Sequence, residues 1–207
     1  QGHEVIVRSQ ITKQKFKFEY FNTARKPIYG FSKKLFEDVD VLILDSDTFF
    51  GITDEDRQTV KDAMKISGLG VFVQPDERLF REKTYLNKAI TYEKNGRAYL
   101  PYLKNTKLAK YPYKIIQTGS LASNTIGPYS YFEQVGNGRI STTLIKNTYQ
   151  LVLKGHQRAY EYFWSQVLTS IAKKKQNTMV FEPGFRFAFR DYPHFMAFQS
   201  SDERPIL

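Results

Sequence analysis

Asp45-Ser46-Asp47 stands where an almost unbroken apolar run, Val39-Asp40-Val41-Leu42-Ile43-Leu44, stops. Two carboxylates so placed can hold Mg²⁺ through hard oxygen ligands. They can equally cap local backbone N–H groups, as Asp and Ser commonly do in turns. The capping reading is preferred, and Asp45 with Asp47 as a metal pair is the alternative. A second apolar run, Val71-Phe72-Val73, leads into Gln74-Pro75-Asp76-Glu77. Open α/β sheets place ligands beyond the carboxyl ends of their strands. Asp45, Asp47, Thr48, Pro75, Asp76 and Glu77 are therefore the candidate ligand crevice, with no catalytic residue assigned and no cofactor expected.

Other reactive side chains offer less. His3, His156 and His194 are widely separated, and none falls in a metal-ligand or HExxH spacing. Ser120 and Ser123 lie in Gly119-Ser120-Leu121-Ala122-Ser123, which lacks the GxSxG elbow. Gly68-Leu69-Gly70 is too short for dinucleotide binding and precedes a strand, not a helix. The chain has no cysteine, which excludes disulfides, thiol nucleophiles and Cys-ligated zinc. The run VLILDSDTFF partly resembles the first motif of haloacid-dehalogenase-type phosphatases, an apolar strand followed by Asp-x-Asp. It departs by carrying Phe49 where that family has Thr or Val, and Gln74 where a second motif needs Ser or Thr.

The elements that must hold these residues follow from pattern. Val41–Leu44 suits a strand buried on both faces of a mostly parallel sheet. Thr53 caps a helix whose first turn carries Asp54, Glu55 and Asp56, where the helix dipole favours negative charge. Asp56, three residues on, is a weak capping-box partner. Val60, Ala63 and Met64 give the helix its apolar stripe, Gly68 ends it, and Val71–Val73 returns as a strand. Upstream, Glu4–Arg8 and the alternation of Phe16, Phe18 and Tyr20 predict strands, Asn22–Phe31 a loop, and Ser32 the cap of a helical turn. Downstream, Arg78–Lys88 predicts a short helix. Asn95-Gly96 predicts a hairpin joining Ile90–Tyr92 to Ala98–Leu100. Leu103–Tyr113 reads as an exposed excursion, Lys114–Gln117 as a core strand, and Gly119–Pro128 as a loop. Gly136-Asn137-Gly138 predicts a second hairpin. Tyr160, Phe163, Trp164, Val167, Leu168 and Ile171 recur at helical spacing and predict a long helix closed by Lys173-Lys174-Lys175. Phe185, Phe187 and Phe189 alternate with polar or small residues in a Pro-containing tail. Domain bounds of 1–176 and 177–207 follow, the second an aromatic tail or the start of a β-rich module.

The formal charge of +10 is uneven. Residues 1–34 carry eight Lys or Arg against two acids, whereas residues 35–62 carry nine acids against two bases. A basic total invites nucleic acid. No nucleic-acid motif accompanies it, so a solvated Lys-rich surface is preferred and nucleic acid is not an expected partner. No run approaches the ~20 apolar residues of a membrane helix, so any membrane contact is expected only through segments outside this chain.

In order, Gly-His-Glu-Val, Asp-Val-Leu-Ile-Leu-Asp, Thr-Asp-Glu-Asp, Gly-Leu-Gly-Val-Phe-Val, Gly-Asn-Gly-Arg-Ile-Ser and Ala-Tyr-Glu-Tyr-Phe-Trp-Ser follow one another from Gly2 to Ser165, within a likeness that covers residues 2–175. This succession resembles the class I glutamine amidotransferase-like domain of large bacterial membrane proteins with an aerotolerance-regulator-type N-terminal region. The resemblance implies an α/β, flavodoxin-like three-layer sandwich with a mostly parallel central sheet, truncated at the N-terminus by a strand and helix. That family's Cys nucleophile and His-Pro-Glu do not occur here, so its glutamine hydrolysis cannot carry over. The expectation is a non-catalytic recognition or assembly domain of a membrane-anchored protein. Its expected partners are other domains of the same polypeptide or another protein. Its expected place is the bacterial cell envelope, with the periplasmic side favoured.

Overall fold

A computed structural model describes residues 3–13, 15–82, 86, 88–94, 99–103, 106–116, 125–127, 129–174, 180–183, 196–199 and 205–206. The chain divides into two compact units, Gln1–Lys173 and Lys174–Leu207.

The first unit opens with β1 (Val5–Thr12) and β2 (Lys15–Phe21), which pair antiparallel, Val5 opposite Phe21. After a loop comes α1 (Lys33–Glu37), capped by the Ser32 hydroxyl, which accepts from the Leu35 N–H. The run after Val39 forms β3 (Val41–Asp45) and passes directly into α2 (Ser46–Gly51). Thr53 caps α3 (Asp54–Ser67) by accepting from the Asp56 N–H at 3.1 Å. Asp56 turns its own carboxylate to the Phe31 N–H instead of back to the cap, and so ties the preceding loop to α3. Gly68, at φ 78°, ends α3 in the left-handed conformation that glycine adopts without steric cost. The chain then enters β4 (Gly70–Gln74) and α4 (Glu77–Arg81).

The middle of the chain builds small antiparallel sheets. β5 (Ile90–Tyr92) pairs with β8 (Tyr113–Ile115), and β6 (Tyr99–Leu103) pairs with β7 (Thr106–Ala109). A hairpin joining Ile90–Tyr92 to the strand after Asn95-Gly96 is therefore not formed, and Asn95-Gly96 itself lies outside the described residues. Nor is 103–113 an exposed excursion, because Leu108, Lys110 and Tyr111 are buried. Lys114 and Ile115 belong to this small sheet, not to a strand of the main one.

β9 (Thr125–Ile126), β10 (Ser130–Val135) and β11 (Gly138–Thr143) complete the main sheet, whose order is β3-β4-β11-β10-β9. The β10–β11 turn holds Gly136 at φ 62°, the positive first position that two-residue hairpins favour. α5 (Gln150–Leu153) and α6 (Gln157–Ile171) follow. The second unit is a three-stranded antiparallel sheet of β12 (Val180–Pro183), β13 (Met196–Gln199) and β14 (Pro205–Ile206). Phe185, Phe187 and Phe189 lie outside the described residues.

The sheet corrects the expected flavodoxin-like, mostly parallel sandwich. β3–β4 and β4–β11 are parallel, but β11–β10 and β10–β9 are antiparallel, giving a mixed sheet. The physical reason is local: the Gly136-Asn137 turn returns β10 directly onto β11, so no crossover helix separates these neighbours. Segments that a parallel fold would spend on strand–helix units instead pair among themselves between residues 90 and 115. β3 is also not the sheet's centre. Among the described residues it lies at the edge, with Ile43 53% exposed, whereas Val71, Phe72 and Val73 of β4 are sealed.

Two apolar clusters flank this sheet. Leu44, Val71, Val73 and Ile140 meet Val60, Ala63 and Met64 of α3, while Phe72 and Phe132 meet Phe163, Val167 and Ile171 of α6. The helix stripe over 160–171 thus serves as core. α6 ends at Ile171, before the lysines, and Lys173 instead donates from its ammonium to the Glu37 carbonyl and from its N–H to the Asp40 carbonyl.

Candidate functional site

Parallel pairing of β3 with β4 sets Asp45 beside Gln74, so both chains leave the sheet together. Each then turns into a short helix under an aspartate cap. Asp45 Oδ1 accepts from the Thr48 N–H at 2.6 Å, and Asp76 Oδ1 accepts from the Leu79 N–H at 2.9 Å. Such caps satisfy donors that a first helical turn otherwise leaves without partners. Asp-x-x-Thr and Asp-x-x-Leu are thus read by the backbone before any ligand arrives.

The two caps are coupled. Ser46, buried although its sequence neighbours Asp45 and Asp47 are exposed, donates its hydroxyl to Asp76 Oδ1 at 2.7 Å. Burial pushes the Asp76 carboxyl upward. The Ser46 hydroxyl and the N–H groups of Leu79, Arg78 and Asp76 itself outweigh this and hold it below its ordinary value.

The turn between β4 and α4 is fixed from beneath. Tyr111 donates its hydroxyl to the Pro75 carbonyl at 2.7 Å, and the Thr142 hydroxyl donates to the Val73 carbonyl at 2.8 Å. Burial, with the charges of Asp76 and Glu77, pushes the Tyr111 phenol up to about 12. On the outer side, the Arg78 guanidinium lies 4.3 Å from the centre of the Phe50 ring and pairs with Glu82 at 2.6 Å. The Glu82 hydrogen bond, with the negative charges of Glu82, Asp47 and Asp76, raises Arg78 further. Glu77 pairs with Arg81 across one turn at 3.1 Å.

Asp45, Thr48, Pro75 and Asp76 therefore converge in one bonded framework at the strand ends, with Asp47 and Glu77 in the first turns of the two helices. Asp45-Ser46-Asp47 is a helix start and not a loop. Among the described residues no group of three or more His, Asp or Glu is arranged to hold a metal ion. His3 precedes the β1–β2 hairpin and accepts from Asn22 through its carbonyl, while His156 stands at the N-cap position of α6 without a side-chain capping bond. Both sit on other elements. His194, Ser120 and Ser123 lie outside the described residues. Pattern reading passed over Ser46, Arg78, Tyr111 and Thr142. A serine between two aspartates was a signal for the first, whereas nothing local connects Tyr111 to Pro75, 36 residues away.

No family model and no curated protein matches the chain. Among solved structures, the chain is similar to one described as a cytoplasmic protein, STM3548, from Salmonella typhimurium. The likeness is 12% in sequence at a TM-score of 0.41, covering 83% of this chain and 96% of that one. Among the described residues no helix is long and apolar enough to cross a membrane.

Proposed function

We propose that this chain is a non-catalytic recognition or assembly domain within a larger, membrane-anchored bacterial protein, a degenerate relative of the class I glutamine amidotransferase-like domains. The observation that carries this reading is the use made of the carboxylates at the ends of β3 and β4. Asp45 accepts from Thr48, and Asp76 accepts from both Ser46 and Leu79, so these acids fix backbone and hold two helices against one another. Asp76, bound into a cap and held below its ordinary value, is a poor proton donor for hydrolysis. The absence of cysteine from the whole sequence removes the amidotransferase nucleophile. Partners are then other domains of the same polypeptide or a separate protein. The succession of motifs supports the cell envelope as the place of action, with the periplasmic side favoured.

The test is a phosphatase and esterase screen of the full chain with and without Mg²⁺, repeated on Asp45→Asn. The expected result is no metal-dependent turnover in either protein. Turnover that requires Mg²⁺ and disappears in Asp45→Asn would replace this reading with a metal-assisted hydrolase using Asp45 and Asp47.

A further inference from the structure

β3 is an internal-strand sequence in an edge position. Val41-Leu42-Ile43-Leu44 is apolar toward both faces, yet among the described residues β3 pairs with β4 alone. Ile43 is exposed, and Val41 and Leu42 are only half-buried. An edge strand presents a row of backbone donors and acceptors to any further strand. Acids flank this strand in sequence: Glu37, Asp38, Asp40, Asp45 and Asp47 are all exposed, and Lys173 is a cation placed against them, on the Glu37 carbonyl.

The β1–β2 hairpin has the opposite character and the same want of partners. Its strands pair with each other and with no other strand among the described residues. Val5, Val7, Ile11 and Phe21 are exposed. The other face is covered in part by its own groups: Arg8 lies 3.8 Å from the Phe16 ring centre, and Tyr29 meets Phe18 edge-on at 5.8 Å. A lone two-stranded ribbon is marginally stable in water. Lys13, Lys15 and Lys17 are exposed along its end and its second strand, Lys17 pairing with the exposed side of Glu19 at 3.0 Å, a solvent-facing pair that a partner's acids can compete for.

We propose that the hairpin of one copy adds to the β3 edge of a second copy, through the outer edge of β2. Apolar Phe21 and Ile43 then leave water together, and Lys15 and Lys17 come beside the acids that flank β3. Strand addition supplies affinity through main-chain hydrogen bonds, and the charges supply register and choice of partner. Pairing of β3 with β3 would set acid against acid, and pairing of hairpin with hairpin would set two net-basic ribbons together, since Glu19 offsets only one of the Arg8, Lys13, Lys15 and Lys17 charges. Only the crossed arrangement is complementary, and reciprocal exchange closes it as a two-fold dimer. The inference rests on the recognition reading in treating this surface as the working one.

The experiment is sedimentation velocity on the full chain across the micromolar range at low and high salt. The expected result is a dimer that dissociates as salt rises. Two charge variants, Lys15→Glu/Lys17→Glu and Asp38→Lys/Asp40→Lys, should each associate at least about tenfold more weakly alone and recover dimer when mixed. Ile43→Lys, at a position already exposed in the monomer, should keep the wild-type circular dichroism and abolish the dimer. A monomeric wild-type chain at every concentration overturns the pairing, as does association that ignores Ile43→Lys or a mixture that fails to recover. Such a result leaves the recognition reading standing, because only turnover in the hydrolase screen removes that.

Discussion

The Ser46 hydroxyl donates to Asp76 Oδ1 at 2.7 Å, joining the first residue of α2 to the cap of α4 across 30 positions of sequence. Two short helices, each too small to persist alone, are thereby made to stand or fall together. Replacing Ser46 by Ala removes a hydrogen bond to a charged acceptor in a buried position and should cost about 1 to 2 kcal/mol in urea unfolding. A loss near zero would mean that the two caps are independent.

The same pair sets a dependence on acid. Asp76 is held below its ordinary value in the folded protein. Its contribution is therefore present above the ordinary carboxylate range and is lost as pH falls through the folded-state value. Ser46→Ala should weaken that acid-side dependence. Unfolding midpoints of the two proteins should converge as pH is lowered, and a constant gap across the acid range would contradict the assignment.

At the alkaline end Tyr111 governs. Its phenol is pushed up to about 12 by burial and by the charges of Asp76 and Glu77. A raised folded-state value means that the contribution is complete below the ordinary tyrosine range and declines as pH climbs toward 12. Tyr111→Phe also deletes the bond to the Pro75 carbonyl, at about 1 kcal/mol near neutrality. Its deficit against wild type should shrink with rising pH, as followed by thermal unfolding.

Tyr131 presents the reverse case. Its hydroxyl is buried with no hydrogen-bond acceptor among the described residues, and burial drives the phenol upward, Glu133 adding to it. Deleting an unsatisfied buried polar group removes its desolvation cost, so Tyr131→Phe should be neutral or stabilising by about 1 kcal/mol. Clear destabilisation in guanidinium melts would point to a bound water or ligand at that oxygen.

Gly70 sits where a Cβ would run into the Ile171 carbonyl and crowd that of Asp40. Those are backbone atoms and cannot swing aside as a side chain can. Gly70→Ala should therefore cost at least about 2 kcal/mol, at the upper end of ordinary overpacking. Gly30→Ala, with open space around it, is the matched control and should change the midpoint little.

Local chemistry was legible wherever neighbours in sequence decide the outcome. Thr53 and Gly68 bound α3 because a hydroxyl cap and a left-handed residue act within four positions. The Gly136-Asn137 turn and the stripe from Tyr160 to Ile171 were equally readable. The position of β3 was not. An apolar run announces burial, but its place in a sheet depends on which strands come to pair with it, and among the described residues β3 acquires one neighbour. The buried Lys110, whose ammonium bonds the Glu93 carboxylate, was hidden for a related reason: its charge reads as surface until a partner 17 residues away is supplied. At the candidate site the capping role of Asp45 was foreseeable, whereas the link from Ser46 to Asp76 required the parallel register of β3 and β4.

One carbonyl gathers three segments. The oxygen of Asp40 accepts from the Gly70 N–H and from the Lys173 N–H, each at 3.1 Å. A pull exerted on the chain after Lys173 would first meet this clasp, with the Lys173 ammonium on the Glu37 carbonyl as its second hold. Load would pass sideways into the roots of β3 and β4, and α6 would be spared from unwinding at its end. In a force-extension experiment pulling on the chain after Lys173, the first event should be rupture of this clasp, ahead of any unwinding of α6.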